Sequence, residues 1–520
     1  RSAPNSPVIS TRDGNVQGKR LVDEPGFKAD AYLGIPYAQP PSGDLRFRKP
    51  VSPVKWAGTR ECFEHPKKCV QIPFGMLALI DKDWPSSEDC LYLNIFCPGD
   101  YTLQDRKYPV MMFIHGGGFA AGSAMAYGDQ GICEGLVRQG VIVVVVQYRL
   151  GVLGFFSTGD EACPGNFGLW DQIEALKWIQ ENIGQFGGDK DNVTIFGQSS
   201  GGASVDLLSL SPHAKGLIHR VIPMSGSALT PWSHRTSTAD YCKSYAETKL
   251  GIKAETSEQF IAQLRNVSAD LLVFEPIKEI SQRETTRGFC PVIDGDLFPL
   301  PIEELRKTAP LLPVMGGLMA LECGLFLPDM NITEEQIKNT IEAMLPESAV
   351  SESSESLVEM YKEVARKRQP KQALWRARVE LAGDRMYNIA TMDMLRKTSQ
   401  RGATTYFYVF EYYNRLIFGP LAEVAPSSEA SHCAELAYVF NTGVAVPFPF
   451  CDHDKKIADM MMRAFANFAK RGNPNDEGDT TWLPCDSEHL GRHMVLDLKP
   501  RMEEQFNEGR CERWLELQKK

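Results

Sequence analysis

The stretch Val193-Thr-Ile-Phe-Gly-Gln-Ser-Ser-Gly-Gly-Ala203 decides how this chain is read. A short apolar, β-branched run enters a glycine–serine turn, and an apolar pattern over 203–210 leaves it as a helix. Within it, Gly197-Gln198-Ser199-Ser200-Gly201 fits Gly-x-Ser-x-Gly, a pattern too short to mean much alone. Its setting gives it weight. A serine raised on a sharp, strained turn needs a strand before it, a helix after it, and small neighbours that let the two pass closely. Both elements are present, so Ser199 is the candidate nucleophile.

Working outward, the half of the chain before and around this turn alternates strands with helices. The run 110–114 ends in His115-Gly-Gly-Gly118, and 141–147 is a second β-branched run. Leu169, Ile173, Leu176 and Ile179 fall at helical spacing within 169–183. Val221-Ile-Pro-Met224 reads as a further strand ending at Ser225-Gly226, with 211–220 between them left unassigned. Strand and helix in alternation imply an α/β fold, a mostly parallel sheet covered on both faces. The glycines at 116–118 suit backbone N–H groups aimed at a developing oxyanion, where one donor is worth about 2.7–4 kcal/mol. The donors are assigned to Gly117, Gly118 and the N–H of Ser200. A phosphate loop would need P-loop or dinucleotide spacing, and neither is present.

A serine needs a general base, and in such a sheet the partners follow in the order serine, acid, histidine. Of His432, His453, His489 and His493, only His432 follows a strong β-run, 404–410, through one loop and then meets a helical pattern, 434–440. Asp452-His453-Asp454 reads as a charged surface cluster, and His489 and His493 lie in the polar tail. For the acid, Glu322 follows an apolar run, 311–315, and a Gly-Gly turn, which puts it near a strand's C-terminal edge where catalytic groups gather. The competing pair Asp294 and Asp296 reads as a turn. Between 229 and 310 the texture shifts to polar helices and loops. Helices are expected over 373–394 and 456–470, and 347–355 reads as a solvated loop or helix start. Without a convincing linker, 1–520 is expected to be a single domain.

The composition narrows the field. The chain has 520 residues, 43% hydrophobic, with formal net charge −10 and no basic run of the kind that binds nucleic acid. No apolar stretch approaches the roughly 20 residues of a membrane span. The Arg-Ser-Ala-Pro start is expected to be a mature or trimmed one, and the end is neither an ER-retention tetrapeptide nor a lipid-anchor tail. Thirteen cysteines is odd, so at least one is unpaired within the chain. Cys62-x-x-His65-x-x-x-Cys69 could be part of a metal site, but no second cluster completes four ligands. Sequons stand at Asn192, Asn266 and Asn331, with Asn192, just before a core strand, expected to stay unmodified.

Taken together, these residues resemble the type-B carboxylesterase/cholinesterase family of α/β-hydrolases along nearly the whole chain. The matches run through Tyr32-Leu-Gly-Ile-Pro-Tyr-Ala38, Leu45-Arg-Phe47, Ser87-Glu-Asp-Cys-Leu-Tyr-Leu-Asn94 and His115-Gly-Gly-Gly-Phe119. They continue through Gln147-Tyr-Arg-Leu-Gly151, Gly154-Phe155, Gly165-Asn166, Gly168-Leu169, Asp171-Gln172, the Ser199 turn, Ser225-Gly-Ser227, Pro291-Val-Ile-Asp-Gly295 and the His432 segment. The resemblance implies a triad of Ser199, Glu322 and His432, supported by Ser225. It implies helical excursions walling a gorge, with Trp232 near the acyl group, and a disulfide between Cys69 and Cys90. Cys242 and Cys290 are a candidate second bridge.

The expected activity is hydrolysis of a small to medium, largely uncharged ester through an acyl-enzyme, without cofactor or metal, in the secretory pathway. Transfer of the acyl group to an alcohol is the alternative, and a non-catalytic adhesion role is disfavoured by the intact triad. Two departures separate the chain from cholinesterases. Gln198 stands where they carry a glutamate, and Ile80 takes the position of the choline-stacking tryptophan, with Trp84 out of register. Gln in that place also occurs in insect hormone esterases of the family. Cys323 beside the acid replaces the usual glycine, which leaves the backbone of that turn open.

Overall fold

A computed structural model describes residues 4–72, 83–100, 107–273, 288–423, 427–444 and 446–519. Among them, thirteen strands make one sheet. Its centre runs, in spatial order, Ile142–Val146, Tyr108–Ile114, Gly188–Gln198, Arg220–Met224, Val314–Met319, Thr405–Phe410 and His493–Leu496, each parallel to the next. Antiparallel strands extend one side, Tyr92–Pro98, Phe27–Pro36, Asn15–Glu24 and Asn5–Ser10, with Thr59–Glu61 parallel beside Asn15–Glu24, and Arg501–Glu503 completes the other. This is the α/β-hydrolase architecture, a large, mostly parallel sheet with helices on both faces.

Alternation along each strand divides the interior in two. Val110, Met112 and Ile114 face one core, with Leu169, Ile173 and Leu176 of helix Phe167–Asn182 and Ala203, Val205 and Leu207 of helix Ser200–Leu210. Met111 and Phe113 face the other, with Ile457, Met461 and Phe465 of helix Asp452–Arg471. The strand Ile142–Val146 is fully buried because both of its faces are covered, which is why it reads as five unbroken β-branched residues.

Several elements differ from the sequence reading. The strand expected at 311–315 lies at Val314–Met319. Pro310 and Pro313 lack the N–H a ladder needs, and Leu311 is half exposed. Gly316 and Gly317 are therefore strand, not turn. Tyr408 of the next strand lies over Gly317, where a Cβ would stand 1.8 Å from its ring. The polar stretch at 347–355 opens a 22-residue helix, Glu347–Arg368, that buries Leu357, Val358 and Tyr361. The expected helix over 373–394 is two, Ala373–Gly383 and Ile389–Gln400, joined by a π turn at Asp384–Asn388. Asp452, His453 and Asp454 open helix Asp452–Arg471, and Asp454 is buried, held by Tyr412, Tyr438 and Asn414.

The disulfide Cys69–Cys90 is present. It consumes Cys69 of the Cys62-His65-Cys69 cluster, and Nδ1 of the half-buried His65 is hydrogen bonded with Asn94. Cys242 and Cys290 are not bridged. Both are buried thiols, and Cys242 Sγ instead accepts the Ser157 N–H at 3.4 Å. Asn192 receives a hydrogen bond from Arg220, and the threonine of its sequon, Thr194, is fully buried. Among the described residues no helix is long and apolar enough to cross a membrane. Ile80 lies outside the described residues.

Candidate active site

Ser199 stands between strand Gly188–Gln198 and helix Ser200–Leu210 at φ 60°, ψ −123°, a conformation costly for a residue with a Cβ. Its N–H is tied to Met224 O at 2.8 Å and its carbonyl accepts the Ala203 N–H at 2.9 Å. The turn closes because Gly201 has no side chain: a Cβ there would lie 2.0 Å from Ile114 O. Ser199 is half-buried, while Gln198 and Ser200 are buried, so the serine is the accessible residue of the three. Gly116 packs against it, its missing Cβ 3.1 Å from Ser199 Cβ, and Gly117 and Gly118 follow at positive φ. Ser200 opens its helix, and its N–H is one of the first-turn donors that no helical carbonyl can satisfy. The far end of the glycine loop is clamped by Gln71, which accepts the Gly122 N–H at 2.7 Å and donates to Gly122 O at 2.8 Å.

Glu322 follows strand Val314–Met319 and is 1% exposed. Its Oε1 accepts the Ser225 hydroxyl at 2.6 Å and the Met319 N–H at 2.9 Å, and its Oε2 lies 2.7 Å from His432 Nδ1. The carboxylate can only accept, so Nδ1 carries the hydrogen and Nε2 presents a lone pair. The acid and base loops are also joined through their backbones. Glu322 O accepts the His432 N–H at 3.2 Å and the Ser431 hydroxyl at 3.1 Å. Cys323 is buried at a φ that is not positive, so the turn needs no glycine there. Burial, with the Glu322 charge beside it, pushes its thiol well above the ordinary value.

The Nε2 lone pair faces Gln198, whose amide nitrogen is 3.1 Å away. Ser199 Oγ makes no hydrogen bond among the described residues. Serine–base bonds are often loose without substrate. The His432 ring lies between Tyr387, at 4.6 Å, and Phe326, at 5.4 Å. Tyr387 sits on the π turn and meets Trp232 edge-on at 5.8 Å, and the Trp232 indole donates to Met386 O at 2.9 Å. π turns often mark functional sites because the extra residue re-aims a side chain.

The structure thus brings Ser199, Gln198, Ser200, Gly117, Gly118, Ser225, Glu322, His432 and Trp232 to one edge of the sheet. Sequence reasoning missed Tyr387, Phe326, Gln71 and Glu435. The one available signal was Glu435, a lone charge inside the apolar run 434–440.

A sequence model of the carboxylesterase family matches residues 5–514. Similar proteins include the esterase cest-33 of Caenorhabditis elegans, 37% identical over 93% of this chain and 89% of its own length. The pyrethroid hydrolase Ces2a of Mus musculus is 35% identical over 98% of this chain and 91% of its own. The cocaine esterase of Homo sapiens is 34% identical, with the same coverage. With the sheet, the strained serine turn and these relatives in agreement, the chain belongs to the carboxylesterase family and is a carboxylic-ester hydrolase.

Proposed function

We propose that the chain, acting as one domain, cleaves small to medium, largely uncharged carboxylic esters through a covalent acyl-enzyme. Ser199 is the nucleophile, His432 the general base and then acid, and Glu322 the carboxylate that orients His432. His432 takes the Ser199 proton as Oγ adds to the ester carbonyl. The N–H groups of Gly117, Gly118 and Ser200 hold the oxyanion. The imidazolium then protonates the departing alcohol, and water repeats the cycle on the acyl-enzyme. The observation that carries this reading is the hydrogen-bonded line Ser225–Glu322–His432 arriving beside an accessible serine on a strained turn.

The neutral Gln198 supports an uncharged substrate, since a carboxylate there would favour a cation. The relatives named pyrethroid hydrolase and cocaine esterase support a small-molecule ester as substrate. The Cys69–Cys90 bridge supports an oxidising, secretory-pathway setting. The test is Ser199→Ala. Hydrolysis of p-nitrophenyl esters is expected to drop by about a million-fold with the fold intact by circular dichroism. A variant retaining a tenth of the parent rate would sink the assignment.

A further inference from the structure

Glu435 lies three residues beyond His432, just before the short helix Leu436–Val439, and is 0% exposed. Neither carboxylate oxygen has a hydrogen-bond partner among the described residues. The titratable groups that act on it come from three segments. They are Glu322 after strand Val314–Met319, the Tyr408 phenol from strand Thr405–Phe410, and the Cys433 thiol on its own segment. The Tyr408 hydroxyl is itself buried and unpartnered among the described residues, and none of these groups is a cation.

Two carboxylates within reach of one another in a buried setting do not both ionise. The donors decide which one keeps the charge. Glu322 accepts from the Ser225 hydroxyl, the Met319 N–H and His432 Nδ1, whereas Glu435 has no donor beyond its own backbone N–H.

We infer that Glu435, buried three residues from His432, stays protonated at neutral pH, so that of this pair of carboxylates Glu322 alone carries the charge. This rests on the triad reading above. A second carboxylate charge beside Glu322 would tighten the imidazole's hold on its proton and withdraw the base from service at neutral pH. Burial, reinforced by the Glu322 charge, pushes the Glu435 carboxyl up to about 8, in keeping with this assignment.

The experiment pairs the pH profile of kcat/KM on a p-nitrophenyl ester with infrared spectroscopy, for the wild type and Glu435→Gln. If Glu435 is neutral, the amide is a fair mimic and the acid limbs of the two profiles superimpose. A limb displaced to lower pH in Glu435→Gln overturns the inference, because it means a charge was removed. The wild type at about pH 6, where ordinary carboxylates are ionised, is expected to show a neutral carboxylic-acid carbonyl band that fades as pH rises through about 8 and is missing from Glu435→Gln. The wild-type band is readable even if the variant fails to fold, and its absence overturns the inference. Labelling of Ser199 by a fluorophosphonate separates the two readings. A band without labelling spares the proton on Glu435 and removes the triad; labelling without the band does the reverse.

Discussion

Glu380 and Glu435 are both glutamates sealed from solvent, 2% and 0% exposed, and they sit at opposite ends of the carboxylate range. Burial pushes both upward. At Glu380, Arg510, Arg376 and Arg368 outweigh it and hold the carboxyl down at about 2. Arg510 Nη2 lies 2.6 Å from one oxygen, and Arg376 and Arg368 lie 2.8 Å from the other. At Glu435 no cation answers, Glu322 adds repulsion, and the carboxyl rises to about 8. The difference teaches that depth of burial does not set the charge state; the charged neighbours do. The Glu380 network also has a position in the fold. Arg510 and Tyr361 bind Asp384, the first residue of the π turn that carries Tyr387 to His432.

The comparison breaks most severely at Arg510. Arg510→Met leaves Glu380 and Asp384 short of their cation, and a loss of about 3–5 kcal/mol is expected in urea unfolding. A loss under about 1 kcal/mol would show that the remaining arginines suffice.

The two glutamates also predict opposite pH slopes of stability. The depressed Glu380 contributes stability that is present above its unfolded value of 4.5 and lost as pH falls through about 2. The raised Glu435 contributes stability present below 4.5 and lost as pH rises through about 8. Glu435→Gln is therefore expected to flatten the decline of the wild type between about pH 5 and about pH 8 by about 3–4 kcal/mol, read by denaturation at both ends. An unchanged slope would assign the proton elsewhere.

Gln198→Glu sharpens the comparison from the other side of His432 by placing a carboxylate 3.1 Å from Nε2 in the present geometry. The acid limb of kcat/KM is expected to move up by about one pH unit. A limb that stays put would mean that the 198 side chain points away from the imidazole in solution. The smallest effect is expected at Trp232→Phe, which removes the bond to Met386 O and should cost about 1 kcal/mol in kcat/KM.

The sequence made the Ser199 region legible because its geometry is local. The end of the strand, the glycines and the start of the helix lie within eleven consecutive residues, and the register of the turn follows from them. His432 and Glu322 were legible through chain order, although the strand before Glu322 was misplaced by reading prolines as ladder residues. The π turn was not legible. An uninterrupted helical pattern over 373–394 hides the extra residue, whose position depends on Arg510, more than 120 residues away. Glu380 shows one of its partners in the sequence, Arg376 four residues before it on the same helix, but Arg510 and Arg368 belong to other elements. The Cys242–Cys290 pairing failed for the same reason, because spacing does not fix how two thiols face each other.

The division of the interior by the sheet has a mechanical consequence. Helix Ser200–Leu210, which carries the nucleophile, rests on one core, while Ala434 and Leu436, which seat the His432 segment, rest on the other. The gap between serine and imidazole thus spans both packed layers, so their alignment depends on the packing of both cores.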